Sequence, residues 1–384
     1  MHTVRLAVLV VSFSVLLPAQ IPTQAPSGVQ AFEPVQVAAD GTITFKMFAP
    51  GAKEVQVVGE IVTVSGREAL PMTKDPNGVW SAKLSGMFPD TYTYSYRVDG
   101  AATADEKNIN VKTGPTGVNN WVEMPGAPDF YGFANVPHGR VEINWFRSST
   151  LNQVRSLWVY TPPSYDQNSS ARFPVLYLQH GTGDLEDGWV KVGHANLILD
   201  NLIAAGKAKP MIIVMPNGHV FSNHVIERQS NNAQIEQVLL KEIIPYIDAH
   251  YRTATDRNSR AIAGLSMGGG QALRFGLQNL DRFAWVIGFS PAIFLAASEQ
   301  SLFNDVIANP QKSNEQIKLL IFFCGTKDHL VANSDRFHAF LDSHQIKHTF
   351  ERTDYESKWP GRRDDHTWPI WRMNLRDVAP LLFR

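Results

Sequence analysis

The stretch Gly264-Leu265-Ser266-Met267-Gly268-Gly269-Gly270 constrains this chain more than any other. It lies between an apolar run, Ala261-Ile262-Ala263, and a helical pattern that starts near Gly268 and carries Ala272, Leu273, Phe275 and Leu277. The order reads strand, sharp turn, helix. A G-x-S-x-G in this setting forces its serine into a strained backbone conformation at the carboxyl end of a strand, with Oγ raised above the sheet. Without Cβ atoms, Gly264 and Gly268 let the helix begin close against neighbouring strands and let the Met267 N–H point at the serine's target. Ser266 is the candidate nucleophile. The bland alternative is an ordinary Gly/Ser loop, and the elements on both sides argue against it.

A serine alkoxide is not available at neutral pH, so Ser266 needs a base to take its proton and an acid group to orient that base. In an α/β-hydrolase the acid and then the histidine follow the serine along the chain. Gly325-Thr326-Lys327-Asp328-His329 comes directly after the apolar run Leu319 to Phe323, which makes Asp328 the candidate acid; Asp335 and Asp354 are its rivals. The base belongs in a loop just ahead of the last helix, and Asp364-Asp365-His366-Thr367-Trp368 fits that description. His366 is the candidate base, with His329, His338, His344 and His348 competing. A tetrahedral intermediate needs two N–H donors, and the small-residue turn that ends Leu176 to Asp184 offers Thr182 beside Met267. His180 reads as a structural residue of that turn. Trp189 and Phe289 are candidate walls of the substrate cleft, with burial in the core as the alternative. Cys324 is the only cysteine, which excludes an intrachain disulfide, and its apolar setting reads as a core thiol.

At 384 residues the chain suits two domains. Residues 1–20 have a basic start, an apolar run from Leu6 to Leu17 broken only by serines, and a Pro18-Ala19-Gln20 exit, the pattern of an export signal. The run is too short to span a bilayer, so a secreted or periplasmic protein with no membrane segment after signal removal is expected. Residues 28–125 carry strand signals, such as Thr42 to Phe48 and Thr91 to Val98, separated by turns like Asp75-Pro76-Asn77-Gly78. They predict a small all-β sandwich. Tyr92, Tyr94 and Tyr96 share one strand face, which favours core packing over a binding platform. Residues 126–140 read as a linker packed on both domains. From 141 to 384 strands and helices alternate, which predicts a mostly parallel sheet covered by helices. The expected strands are 156–160, 174–179, 211–215, 261–263, 285–289, 319–323 and 349–351, and the expected helices 195–205, 233–250, 268–280, 334–344 and 368–381. With 35 basic and 36 acidic residues, nothing in the charge favours nucleic acid as a partner. No histidine–carboxylate group has metal-ligand spacing along the sequence, so the reading requires neither metal nor other cofactor.

Two resemblances extend this reading. The first segment resembles the early-set immunoglobulin-like modules of glycan-active enzymes, through Phe48-Ala49-Pro50-Gly51-Ala52, Trp80, Tyr92 to Gly100 and Asp105-Glu106-Lys107-Asn108. The second resembles the esterase D/feruloyl esterase branch of the α/β-hydrolases, assigned to family 1 carbohydrate esterases. The matching runs are Val159 to Pro163, Leu176 to Trp189, Leu199 to Ile203, Met215 to Gly218, Arg260 to Gly270, Gly288 to Ser290, and His366-Thr367-Trp368 with Trp371-Arg372. The resemblance implies an α/β-hydrolase domain preceded by an immunoglobulin-like sandwich, and removal of feruloyl or acetyl groups from an acylated plant polysaccharide or oligosaccharide such as xylan. Relatives usually place a Gly-Gly pair directly before the histidine, where this chain has Arg362-Arg363-Asp364-Asp365. Those charges are expected to enlarge and polarise the loop. A siderophore trilactone esterase and a catalytically silent glycan-binding protein are the competing readings. The oligomeric state is not legible in the sequence.

Overall fold

Two hydrophobic periodicities divide the chain, period two in its first part and alternating strand and helix patterns in the rest. The computed structural model describes residues 32–384 apart from 168, 223–224, 227–230, 297–299 and 359–364. The export signal expected at 1–20, and Pro360 to Asp364 of the loop before His366, lie outside the described residues. Pro34–Arg384 forms one compact unit.

The amino-terminal part is an antiparallel sandwich. One sheet runs Val35–Val37, Ile43–Phe48, Val79–Leu84, Thr73–Lys74, and the other centres on Thr91–Val98, flanked by Val55–Val58 and Gly117–Glu123. Tyr92, Tyr94 and Tyr96 are wholly buried between the sheets, where Tyr94 meets Phe45 edge-on at 5.1 Å. They pack the core and offer no platform to a ligand. One short helix, Glu60–Val64, interrupts the strands and buries Ile61, Val62 and Val64. Five residues are too few for a helical period to be visible in the sequence.

The second part is built on an eight-stranded sheet. Its order is Arg140–Ser148, Gln153–Thr161, Ile212–Pro216, Val175–Gln179, Arg260–Leu265, Trp285–Phe289, Leu319–Gly325, Thr349–Thr353. The first two junctions are antiparallel and the remaining five parallel. Four central strands are fully buried because helices cover both faces with separate apolar layers. The edge strand Arg140–Ser148 escapes the sequence reading, which places a linker up to residue 140. Ile143 and Trp145 on it face solvent, so its apolar pattern marks no core. The helix expected at 233–250 is interrupted by a π-helical turn, Leu239–Ile243, just before Pro245. Proline lacks the N–H that an α-helix would use there, and the wider turn accommodates the loss.

The segment 126–140 is held rather than free. Tyr131 is buried and stacks on His194 at 5.1 Å. Asp200, on the helix Ala195–Ala204, accepts hydrogen bonds from the Gly139 N–H at 2.9 Å and the Tyr160 hydroxyl at 2.6 Å. The two parts of the chain are joined by packing as well as by covalent connection.

Candidate active site

The strand Arg260–Leu265 runs directly into the helix Met267–Gln278, with Ser266 at the joint in a left-handed conformation (φ 51°, ψ −117°). A non-glycine residue there costs about 1–3 kcal/mol, so the surroundings must over-determine it. The Ser266 N–H donates to the Phe289 carbonyl at 2.9 Å, and the Ser266 carbonyl accepts from Gly270 at 3.0 Å and Ala292 at 2.8 Å. The flanking glycines are required by contact. A Cβ on Gly264 would lie 2.3 Å from the Gly268 oxygen, and one on Gly268 would lie 2.5 Å from the His180 oxygen.

His366 Nε2 lies 3.0 Å from Ser266 Oγ, and His366 Nδ1 lies 2.9 Å from Asp328 Oδ2. With the Nδ1 proton donated to the carboxylate, Nε2 presents its lone pair to the hydroxyl. Asp328 sits in the turn after Leu319–Gly325, where its Oδ1 accepts from the Leu330 N–H at 2.8 Å. Burial pushes the Asp328 carboxyl up. The hydrogen bond and charge of His366, with the Ser290 hydroxyl and the Leu330 N–H, outweigh burial and hold it below the ordinary carboxylate range. The rivals lie elsewhere: Asp335 pairs with Arg352 at 3.1 Å, Asp354 accepts from the Glu356 N–H, and His338 contacts His348. His329 stands beside His366, with ring centres 4.4 Å apart.

A cavity of about 340 Å³ opens over Ser266 and His366, lined on one side by Gly181, Thr182, Gly183 and Asp184 and on another by Trp368 and Trp371. Thr182 is therefore at the cavity wall, and Met267 is the first residue of the helix after Ser266. The His180 imidazole bonds the Gly181 carbonyl through Nδ1 and accepts the Gly218 N–H at Nε2, bracing this turn. Burial, followed by the nearby His219, pushes His180 down to about 3, which keeps it neutral. Trp189 and Phe289 do not wall the cleft. Both are fully buried, 6.0 Å apart, with the Trp189 indole N–H donated to the Gln179 carbonyl. Apolar area drives both into the layer behind the cleft, and Trp368 and Trp371 take the place expected of them.

Sequence reasoning missed several residues. Ser290, buried and at φ 44°, accepts from the Trp371 indole at 3.2 Å while its hydroxyl bonds Asp328. Its position at the end of Trp285–Phe289, the strand beside the one that carries Ser266, was the available signal. Asp365, one of the charges expected to enlarge and polarise the loop, is fully buried and accepts the Lys327 N–H at 2.9 Å, tying the histidine segment to the Asp328 turn. A Cβ on Gly325 would meet the Asp365 Cβ at 2.3 Å, so the approach depends on that glycine. Glu60, Thr63, Thr93, Lys112 and Asn119 of the sandwich also line the cavity. No local pattern marks them. Among the described residues, folding also assembles two groups of possible metal ligands, Asp328 with His329 and His366, and His338 with Asp342 and His348. In the first, His366 is already hydrogen-bonded to both Asp328 and Ser266.

Residues 148–382 match the family described as "Putative esterase", and residues 32–116 match carbohydrate-binding module 48, the isoamylase N-terminal domain. The chain belongs to this esterase family. It is 35% identical over 257 residues to an endo-1,4-beta-xylanase/feruloyl esterase of Xylanibacter ruminicola, a match that covers 65% of this chain and 35% of that one. The chain thus spans about a third of the length of the curated relatives it matches. A solved ferulic acid esterase is 28% identical, with a TM-score of 0.55, over 64% of this chain and 98% of that one. The enterobactin esterase of Shigella flexneri, 19% identical, shares the fold with a TM-score of 0.62 over 89% of this chain and 94% of its own. The esterase family match covers the eight-stranded sheet from the end of its edge strand onward, so it contains Ser266, Asp328 and His366.

Proposed function

We propose that this esterase is an exported serine hydrolase that removes feruloyl or acetyl groups from an acylated plant polysaccharide such as xylan. The observation that carries the reading is the uninterrupted path from Ser266 Oγ through His366 to Asp328, 3.0 and 2.9 Å long in its two steps. Ser266 Oγ attacks the ester carbonyl as its proton passes to His366 Nε2, and the new oxyanion is received by the N–H groups of Met267 and Thr182. The imidazolium, held by Asp328, gives its proton to the departing sugar oxygen as the carbonyl re-forms. Water then repeats the sequence on the acyl-enzyme, releasing the acid and restoring Ser266. The similarity to proteins named feruloyl esterases supports this choice of acyl group.

A trilactone siderophore is the second substrate class to weigh, because the fold shared with the enterobactin esterase extends across the sandwich. Charge bears on the choice. Among the described residues that line the cavity, Lys112 is paired with Asp184 at 2.6 Å, and burial holds the Glu60 carboxyl above its ordinary range, so neither leaves a free cation. Such a wall suits a neutral sugar ester better than an anionic metal chelate. The test compares a short acetyl ester, methyl ferulate, acylated xylan fragments and a trilactone siderophore with wild type and Ser266→Ala. Turnover of feruloyl or acetyl esters that disappears in Ser266→Ala is expected. A folded wild type that hydrolyses none of them would leave a glycan-binding protein as the better reading, and preference for the trilactone would replace the substrate.

A further inference from the structure

We propose that the amino-terminal sandwich is a working part of the hydrolytic site, with Glu60 positioning the segment that carries His366 and Lys112 positioning the turn that carries Thr182. The inference rests on the hydrolytic reading above and adds two residues to it, both from outside the esterase fold.

Glu60 lies on the short helix of the sandwich, and its carboxylate spans the junction. One oxygen accepts the Trp368 N–H at 2.6 Å, and the other accepts from the Thr93 N–H at 3.0 Å and the Thr93 hydroxyl at 3.4 Å. Trp368 opens the helix Trp368–Val378, two residues after His366. A helix start leaves its first N–H groups without intrahelical partners, and here Thr367 at the cap position makes no side-chain capping bond. A carboxylate more than three hundred positions away along the chain does that work instead. The backbone leaving His366 is thereby fixed to a strand of the sandwich, and the direction of the imidazole follows from the backbone that carries it.

Lys112 acts on the opposite wall. Its ammonium is buried, pairs with Asp184 at 2.6 Å and donates to the Gly183 carbonyl at 3.0 Å. The next residue, Thr113, donates its N–H and hydroxyl to Asp187 at 3.0 and 2.6 Å. A Cβ on Gly114 would come within 2.9 Å of the Gly183 oxygen, so the strand Val111–Gly114 is pressed directly against the turn. With glycine at 181 and 183, that turn has little stiffness of its own. The sandwich therefore fixes both the base and the oxyanion wall, and a displacement of either by about 1 Å is enough to cost on the order of a hundredfold in rate.

The test uses the full chain and a small chromogenic acetate ester, whose kcat and KM are followed from pH 5 to 9 with thermal unfolding as a check on folding. Glu60→Ala is expected to lower kcat about 10- to 100-fold while KM moves less than about threefold, and to alter the pH profile of kcat/KM. Glu60→Gln keeps an acceptor for the Trp368 N–H and should fall between, about three- to tenfold below wild type. Lys112→Met should lower kcat on the same ester without a matching rise in KM. A folded Glu60→Ala with wild-type kcat, or one whose only change is a higher KM, overturns the inference. If Glu60→Ala does not fold, Glu60→Gln decides, and kcat equal to wild type counts against the proposal. Wild type that turns over no ester, indistinguishable from Ser266→Ala, sinks the hydrolytic reading itself; normal wild-type turnover with undiminished Glu60 and Lys112 variants sinks only this inference.

Discussion

Asp328 is buried, yet its carboxyl is held below the ordinary range because the hydrogen bond from His366, with those from Ser290 and Leu330, outweighs desolvation. Replacing the carboxylate by an amide removes the charge that favours the Nδ1–H tautomer. Asp328→Asn should therefore lower kcat by about 10³- to 10⁴-fold with little change in unfolding temperature, measured on any ester the wild type accepts. Ser290→Ala keeps the same backbone demands and removes two hydrogen bonds, the one to the Asp328 carboxylate and the one from the Trp371 indole. It should reduce kcat by about tenfold and cost about 1–3 kcal/mol of stability while leaving the fold intact, as followed by circular dichroism and urea unfolding. The two outcomes separate the orienting acid from the residue that supports it.

Between the strand Arg260–Leu265 and the helix Met267–Gln278, the element junction tolerates no added atoms. Gly268→Ala would place a methyl 2.5 Å from the His180 oxygen and 2.7 Å from Gln179, at the buried end of the strand Val175–Gln179 and the residue that follows it. The expected result is a loss of about 3 kcal/mol or more in urea unfolding, or an insoluble chain. Two buried histidines, His180 in the neighbouring turn and His194 at the start of the helix Ala195–Ala204, carry a pH dependence of their own. His180 and His194 are each pushed down to about 3, by burial first, with His219 and Arg372 respectively adding to it. A histidine depressed in the fold is protonated first in the unfolded chain, so stability is full above about pH 6.5 and falls as pH drops toward 3. Each residue contributes a slope of at most about 1.4 kcal/mol per pH unit in that window. Unfolding free energies measured from pH 7 to 4 should show this decline, reduced in His194→Asn, a residue that also tolerates the left-handed backbone there (φ 50°).

For the whole molecule, the junction between sandwich and hydrolase rests on a fully buried arginine. Arg372 pairs with Asp90 at 2.6 Å, donates to the Thr91 and Val192 carbonyls, and lies 4.8 Å from the Tyr131 ring centre. Removing one member of such a pair strands the other charge away from water. Arg372→Met should destabilise the chain by about 3–5 kcal/mol in urea unfolding, with part of the loss recovered when Asp90→Asn is added. If the sandwich were only a tethered module, neither change would reach the unfolding of the esterase part.

Much of this protein was legible before folding, because some chemistry is written in adjacent residues. The G-x-S-x-G turn, the aspartate directly after a buried strand and the histidine just before the last helix each stand in a local pattern, and so does the tyrosine stripe of the sandwich core. Tertiary structure alone decided the rest. Trp189 and Phe289 went to the core because burial follows three-dimensional neighbours, while Asp365 turned inward to meet an N–H that only the fold brings near. Glu60 and Lys112 reached the cavity from a different domain, and no spacing along a chain encodes the approach of two surfaces. Sequence determined which local shapes and reactive groups exist, and packing determined which of them meet, since hydrogen bonds and contacts act across space over a few ångströms without regard to order along the backbone.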